Sequence, residues 1–539
     1  MSDASPVEPG APRAEGTRQR RYWFPITVIV VAVLAVIALE TIESVDALSP
    51  VASRMAKFLT PFLARVIVIG LSLIALALWF LFFAPLPRRT RFGVAVAVVA
   101  AFVAFRAAFK IEGFTGDIVP RVRARWLAAP ELPQASEGKT DLTAISPDDY
   151  PEFLGPGRRA TLGTADLARD WSAQPPKQLW RQPIGAAWSS FAVVGPYAVT
   201  QEQRGEDGNE ESVTCYEVAT GKLRWEYSTP GRFSAALAGV GPRATPTIHE
   251  GKVYALGALG QLVCLGGETG KPIWRRDIIA DNGARLPQWG KSGSPLIHGG
   301  AVIVSAGGPD GKSLVAYDKL DGKPLWSAGD DASSYSSPTL LTLCGLPQVV
   351  IVNQQTVTSH DPADGHILWQ HVWPDKDVPS PNVSQPLAVG DDRVLMSKGY
   401  GVGSALWQIK RDGDIWSVEQ LWRNNNMKTK MTNAVVRDGF VYGLDEGILS
   451  CIDVASGAKK WKKGKFGHGQ VLLVDDLLLV QSEQGDVALV EANPSAFKEL
   501  TRFTAVSGQS WNCPALSGHK LLVRTDQEAA CYELPATSP

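Results

Sequence analysis

Thr220-Gly221-Lys222-Leu223-Arg224-Trp225, Thr269-Gly270-Lys271-Pro272-Ile273-Trp274 and Asp321-Gly322-Lys323-Pro324-Leu325-Trp326 are three copies of one phrase, a turn followed by a short strand that ends in tryptophan. Looser copies end at Trp369, Trp422 and Trp461, Phe503 closes the series, and Trp180 precedes it. The spacing is about 46 residues; such a period in an all-strand segment indicates a radial array, because one unit cannot bury its own apolar face and must stack on neighbours. Within one unit, Pro246–His249, Lys252–Leu256, Gln261–Leu265 and the strand ending at Trp274 alternate apolar and polar residues between Gly-bearing turns. That is the pattern of a four-stranded meander. The turn glycines supply a positive φ, and each tryptophan is expected to pack on the next blade.

The number of copies predicts an all-β, eight-bladed β-propeller over residues 176–536. After Phe503 the chain offers three strands, Pro514–Leu516, Leu521–Arg524 and Ala530–Glu533, and no fourth. Gln178–Arg181, which carries Trp180, is expected to supply it and so close the ring without free edges.

The front of the chain is of another kind. Residues 1–21 are polar and rich in Pro, Gly and Arg, which predicts a disordered tail. Three apolar runs follow, Trp23–Leu39, Phe62–Ala84 and Phe92–Phe109, read as three transmembrane helices within residues 22–109. Arg13, Arg18, Arg20 and Arg21 before the first run, and Arg88, Arg89 and Arg91 between the second and third, place both sites in the cytoplasm. The loop with Glu40, Glu43 and Asp46 then lies outside, and three crossings put the propeller on the extracytoplasmic side of a bacterial inner membrane. Residues 110–147 read as a linker and 148–175 as a lead-in. Lys and Arg number 53 against 54 Asp and Glu, so composition points to no nucleic-acid partner.

Cys215, Cys264, Cys451 and Cys531 share one repeat position, too far apart in a propeller for disulfides, and read as core residues. No Cys-x-x-Cys, His-x-x-x-His or His-Glu-x-x-His occurs, so no metal site is indicated. Ser189-Ser190 and Ser336-Ser337 lack the elbow that would make either a nucleophile, and no catalytic residue is assigned.

Tyr216-Glu217-Val218-Ala219-Thr220-Gly221-Lys222 with Trp225, and Ile452-Asp453-Val454-Ala455-Ser456-Gly457 with Trp461, resemble the repeat of pyrroloquinoline-quinone-type (PQQ-like) propellers. Tyr150-Pro151-Glu152-Phe153-Leu154-Gly155-Pro156 resembles the segment that precedes many bacterial propellers of this kind. The resemblance implies one of two functions. The first is a non-catalytic binding or scaffold module of the cell envelope, like the outer-membrane assembly lipoprotein, with no cofactor. The second is a membrane quinoprotein oxidoreductase using PQQ with calcium on alcohols or sugars. Many quinoprotein dehydrogenases carry an adjacent Cys-Cys pair and longer blade loops, and this sequence has neither. The first reading is therefore preferred.

The segments that lead into the innermost strand of each blade occupy one repeat position and are expected to converge on one mouth of the central channel. They bring together Trp188, Arg243, Trp289, Lys291, Tyr335, Asn382, Lys428, Lys430, His468 and Trp511, with few carboxylates. Aromatic planes beside cations suit a planar anionic small molecule or an acidic segment of an envelope protein. Arg243 and Lys291 are expected to matter most. Ser, Thr and Pro at strand starts can also serve only to cap backbone groups.

Overall fold

A computed structural model describes residues 23–35, 61–116, 119–127, 130–136, 138–163, 166–235, 237–374 and 381–537, and the side chains of 61–66 fall outside that set. The expected disordered tail and the acidic loop Glu40–Asp46 lie outside the described residues. Two compact units divide the chain, 1–112 with 117–128, and 113–116 with 129–539.

In the first unit helices cover Trp23–Ala35, Pro61–Phe83 and Arg88–Ala108. By length and composition Arg88–Ala108, 21 residues at mean hydropathy 1.8, can cross a membrane. Trp23–Ala35 and Ile67–Phe83 are shorter apolar helices, so the expectation of three full spans is reduced to one qualifying helix among the described residues.

The second unit carries eight blades of four antiparallel strands, one per repeat, and one blade gains a fifth, parallel strand. Blade 1 runs from Ala192 to Pro230, blade 2 from Thr247 to Asp277, blade 3 from Leu296 to Ala328 and blade 4 from Thr339 to Val372. Blade 5 runs from Leu387 to Asn424, blade 6 from Val435 to Lys465 and blade 7 from Gln470 to Thr504. Blade 8 is composite: Ala515–Ser517, Lys520–Arg524 and Glu528–Glu533 are completed by Lys177–Pro183, with Cys531 opposite Trp180. The ring closes as its repeat count requires, and all six cysteines are unpaired.

The repeated phrase has a single physical cause. Six tryptophans donate their indole N–H to a backbone carbonyl in the following blade: Trp180 to Val218 at 2.7 Å, Trp225 to Gly267 at 2.9 Å, Trp274 to Lys319 at 3.1 Å, Trp326 to Pro362 at 3.3 Å, Trp422 to Val454 and Trp461 to Asn493 at 2.9 Å. In five of them the ring lies flat over the turn glycine of that blade, while Trp461 meets Phe497 instead. A Cβ on Gly270 would sit 2.5 Å from Trp225 and one on Gly365 2.3 Å from Trp326. Glycine is thus required twice at Gly270, for φ +68 and for the space under the indole. Blade 5 replaces this turn with a long hairpin, Gly403–Asp412 and Ile415–Asn424. Trp369 accordingly donates within its own blade, to Gln348 Oε1 at 2.8 Å.

Two segments before the blades dock on them. Part of the expected linker packs on the ring: Leu142 is buried with Trp225, and the Thr140 hydroxyl accepts from the Trp225 indole at 3.0 Å. The lead-in enters the channel, where Thr161–Leu162 pairs parallel to the innermost strand of blade 7. Arg158 stands among the innermost strands of three blades. Its guanidinium donates to the carbonyls of Ser294 and Pro338, both at 3.0 Å, to Pro295, and to the Thr247 hydroxyl at 3.2 Å, while Glu152 pairs with its Nε at 2.7 Å.

Candidate functional site: the channel mouth

The segments leading into the innermost strands are tied in a relay that runs from blade to blade. The Ser190 N–H donates to Thr245 Oγ1 at 3.2 Å, Thr245 N–H to Ser294 Oγ and Ser294 N–H to Ser337 Oγ, each at 2.9 Å. Ser337 N–H donates to Gln385 Oε1 at 2.9 Å and Gln385 N–H to Asn433 Oδ1 at 2.8 Å. Each donor is a backbone group at a strand start that lacks a sheet partner, and each acceptor is a side chain of the next blade. The Ser, Thr, Gln and Asn of this repeat position therefore hold the collar of the channel. The serine pairs are structural.

The expected cations face their own chain. Arg243 stacks over Phe233 at 4.5 Å and donates to the carbonyls of Ala238 at 2.6 Å, Gly239 at 3.4 Å and Gly241. Burial brings its guanidinium down to about 10, against the pull of the neighbouring Glu211. Lys291 is 2 % exposed and donates to Ala306 O at 2.6 Å, Ser333 Oγ at 2.8 Å and Ser305 O at 3.2 Å. Burial lowers its ammonium to about 7. The two do not face one ligand from two sides, because Arg243 is satisfied by carbonyls of its own loop and Lys291 by those of the second strand of blade 3 with Ser333. Lys428 pairs with the buried Asp445 at 2.9 Å, which also holds Lys462 at 2.6 Å.

The aromatic rings close on one another. Trp188 and Trp511 are 4.7 Å apart between centroids, and the Trp188 indole donates to Ala238 O at 2.7 Å. Trp289 and Tyr335 are 5.3 Å apart, and the Tyr335 hydroxyl accepts from the Trp289 N–H at 3.3 Å. Asn382 is buried and donates to Asn353 O at 2.7 Å.

A further cluster is built by blades 5 to 8 around Glu483, a residue of the corner between the second and third strands of blade 7. The carboxylate is 3 % exposed. Its Oε1 accepts from the Trp511 indole at 2.9 Å, from the Gly116 N–H at 2.6 Å and from Gln509 Nε2 at 3.4 Å, and its Oε2 accepts from the His468 N–H at 3.0 Å. Lys430 lies over the Tyr400 ring at 5.4 Å and donates to Gly116 O at 3.0 Å. Of the expected residues, Lys430, His468 and Trp511 meet here, and Trp188 supports them through Trp511.

The sequence reading expected few carboxylates at the mouth, yet Glu483, Glu211 and Asp445 all stand there. Asp445 comes from a second strand, Glu211 from a third and Glu483 from the corner between the two, none from the segments that lead into strand one. Burial pushes Glu211 up to about 7. A polar residue at the inner end of a strand otherwise made of Leu and Val, as in Leu477–Gln481 before Ser482-Glu483, was the available signal.

The profile of the family described as "Outer membrane protein assembly factor BamB" matches residues 209–463. Among curated relatives, BamB of Moranella endobia is 22% identical over 253 residues, 45% of this chain and 62% of that protein. The dehydrogenase subunit of the quinone alcohol dehydrogenase of Komagataeibacter europaeus is 26% identical over 217 residues, 35% of this chain and 27% of that protein. The chain thus spans less than two thirds of the length of either. Among solved structures, a europium-containing methanol dehydrogenase shares the fold at TM-score 0.54 and 12% identity, over 70% of this chain and 90% of that one. Eight blades, the docking-tryptophan repeat and these matches agree on an eight-bladed β-propeller built of PQQ-like repeats.

Proposed function

We propose that this chain is a non-catalytic binding module of the bacterial cell envelope, tethered to the inner membrane by its N-terminal helices, with its propeller on the extracytoplasmic side and a protein segment as its ligand. One observation carries the reading: the cations and rings expected to cradle a planar anion are closed on their own chain, whereas the Glu483 cluster presents a carboxylate and an ammonium to backbone amides. The likeness to outer-membrane assembly factors supports it. The Trp188–Trp511 pair leaves no slot for the ring of PQQ. A planar ring between Trp188 and Trp511 needs a gap of roughly 7 Å, twice an ordinary stacking distance, and the two rings are already in contact at 4.7 Å. Among the described residues no three His, Cys, Asp or Glu side chains converge as a metal set.

The second reading, a PQQ-dependent oxidoreductase of alcohols or sugars, rests on the quinone alcohol dehydrogenase match. One pair of measurements separates the two. The full-length chain in detergent should retain a specific protein from an envelope extract, and should show neither quinone absorbance nor dye reduction after incubation with PQQ and calcium. Quinone turnover with no retained protein reverses the assignment.

A further inference from the structure

The mouth already holds a peptide segment, and the segment is its own. Gly113–Gly116 belongs to the propeller unit although it begins at the end of strand Phe109–Phe114, which follows helix Arg88–Ala108 directly. Its backbone is read at both polarities. The Gly116 N–H donates to Glu483 Oε1 at 2.6 Å, Gly116 O accepts from Lys430 Nζ at 3.0 Å, and Phe114 O accepts from Gln509 Nε2 at 3.0 Å. We propose that the mouth is a receptor for an extended, glycine-bearing peptide segment, that Phe114-Thr115-Gly116 occupies it in cis, and that an outside partner of the same chemistry binds by displacing it. This deepens the binding reading above and names the class of partner.

Three features specify such a ligand. The contacts fall on main-chain atoms, so recognition needs an extended backbone and little side-chain sequence. Glycine is selected by space, since a Cβ on Gly116 would lie 2.0 Å from His468 Cδ2 and 2.9 Å from Glu483 Oε1. His468 and Glu483 are 4 % and 3 % exposed, walled in by blades 7 and 8 and unable to swing aside cheaply. The third feature is charge: a carboxylate buried to this degree is held by N–H donors, and the Gly116 amide makes the shortest of the contacts on it. A segment tethered in the same chain acts at an effective concentration on the order of millimolar. A partner therefore sees only the fraction of mouths that are open, and its apparent affinity falls by that fraction.

The test uses the full-length chain in detergent and two independent readouts. In the first, hydrogen exchange of the parent should show amides of Phe114–Gly116 exchanging at least tenfold more slowly than in Glu483→Ala. Equal exchange in the two proteins overturns the proposal without recourse to any unplugged variant. In the second, a fluorescent peptide of the sequence Lys110–Gly116, amidated at its C-terminus, should bind Gly116→Val at least tenfold more tightly than it binds the parent, and adding Glu483→Gln to Gly116→Val should remove that gain. Equal binding to parent and Gly116→Val overturns it as well. A protected segment and a bound peptide in a protein that retains nothing from the envelope would uphold this inference and remove the wider function.

Discussion

At the rim of the propeller one side chain repeats its contact from blade to blade; around Glu483 each blade contributes a different group. Trp180, Trp225, Trp274, Trp326, Trp422 and Trp461 all donate to the next blade and lie over its turn. Around the mouth, blade 5 presents Tyr400, blade 6 is preceded by Lys430, blade 7 adds His468 and Glu483, and blade 8 is preceded by Gln509 and Trp511. Repetition marks the requirement every blade shares, which is burial against its neighbour. Departure from repetition marks what a single ligand needs.

The sharpest attack on that contrast is at the rim. Trp225→Ala removes a large buried side chain and its hydrogen bond to Gly267, and should lower stability by about 3–5 kcal/mol in urea melts while leaving ligand affinity of the folded fraction unchanged. A loss below about 1 kcal/mol would detach the repeat from blade docking. Gly270→Ala tests the same contact from the opposite blade. Placing a Cβ at φ +68 and 2.5 Å from the Trp225 ring should cost about 2–3 kcal/mol.

These two effects correspond to what was legible in the sequence. Thr-Gly-Lys followed by tryptophan could be read because one local phrase encodes both partners of the docking contact, the turn glycine and the ring. Even the composite eighth blade followed from a missing strand and an unclaimed Trp180. The mouth was half legible. The right repeat position was found, but most of its Ser, Thr and Asn hold the collar, Arg243 turns back on its own loop and Lys291 is buried against the second strand of blade 3. Glu483 was missed because it lies outside the segments that lead into the first strands, and Gly116 because its partners lie more than three hundred residues away. Contacts of that separation leave no periodic trace.

A smaller effect sharpens the contrast through pH. His360 is buried beside the blade 4 turn, with Nδ1 against Gly365 O at 2.8 Å and Nε2 against Thr358 Oγ1 at 2.9 Å. Burial lowers its pKa from 6.5 to about 4. The unfolded chain therefore binds the extra proton between those values, so this stabilisation is full above about pH 6.5 and is lost as pH falls through 4. Between pH 7 and pH 5 the loss should be on the order of 2 kcal/mol. His360→Gln should flatten that part of the stability profile without altering the mouth. An unchanged profile would remove His360 from the account.

The smallest stability effect belongs to the mouth itself. Glu483→Gln keeps the shape and one acceptor, and should stay within about 1 kcal/mol of the parent. The same variant should release Phe114–Gly116, which hydrogen exchange can read directly.

The decisive comparison sets rim against mouth in one binding measurement. Full-length parent, the rim variant Trp225→Phe and the mouth variant Lys430→Gln with Glu483→Gln are each used to capture protein from the same envelope extract, with retained protein quantified by mass spectrometry after matching for folded fraction. The account predicts that the parent and the rim variant retain the same protein in equal amount and that the mouth variant retains at least tenfold less. Equal retention by all three would contradict it.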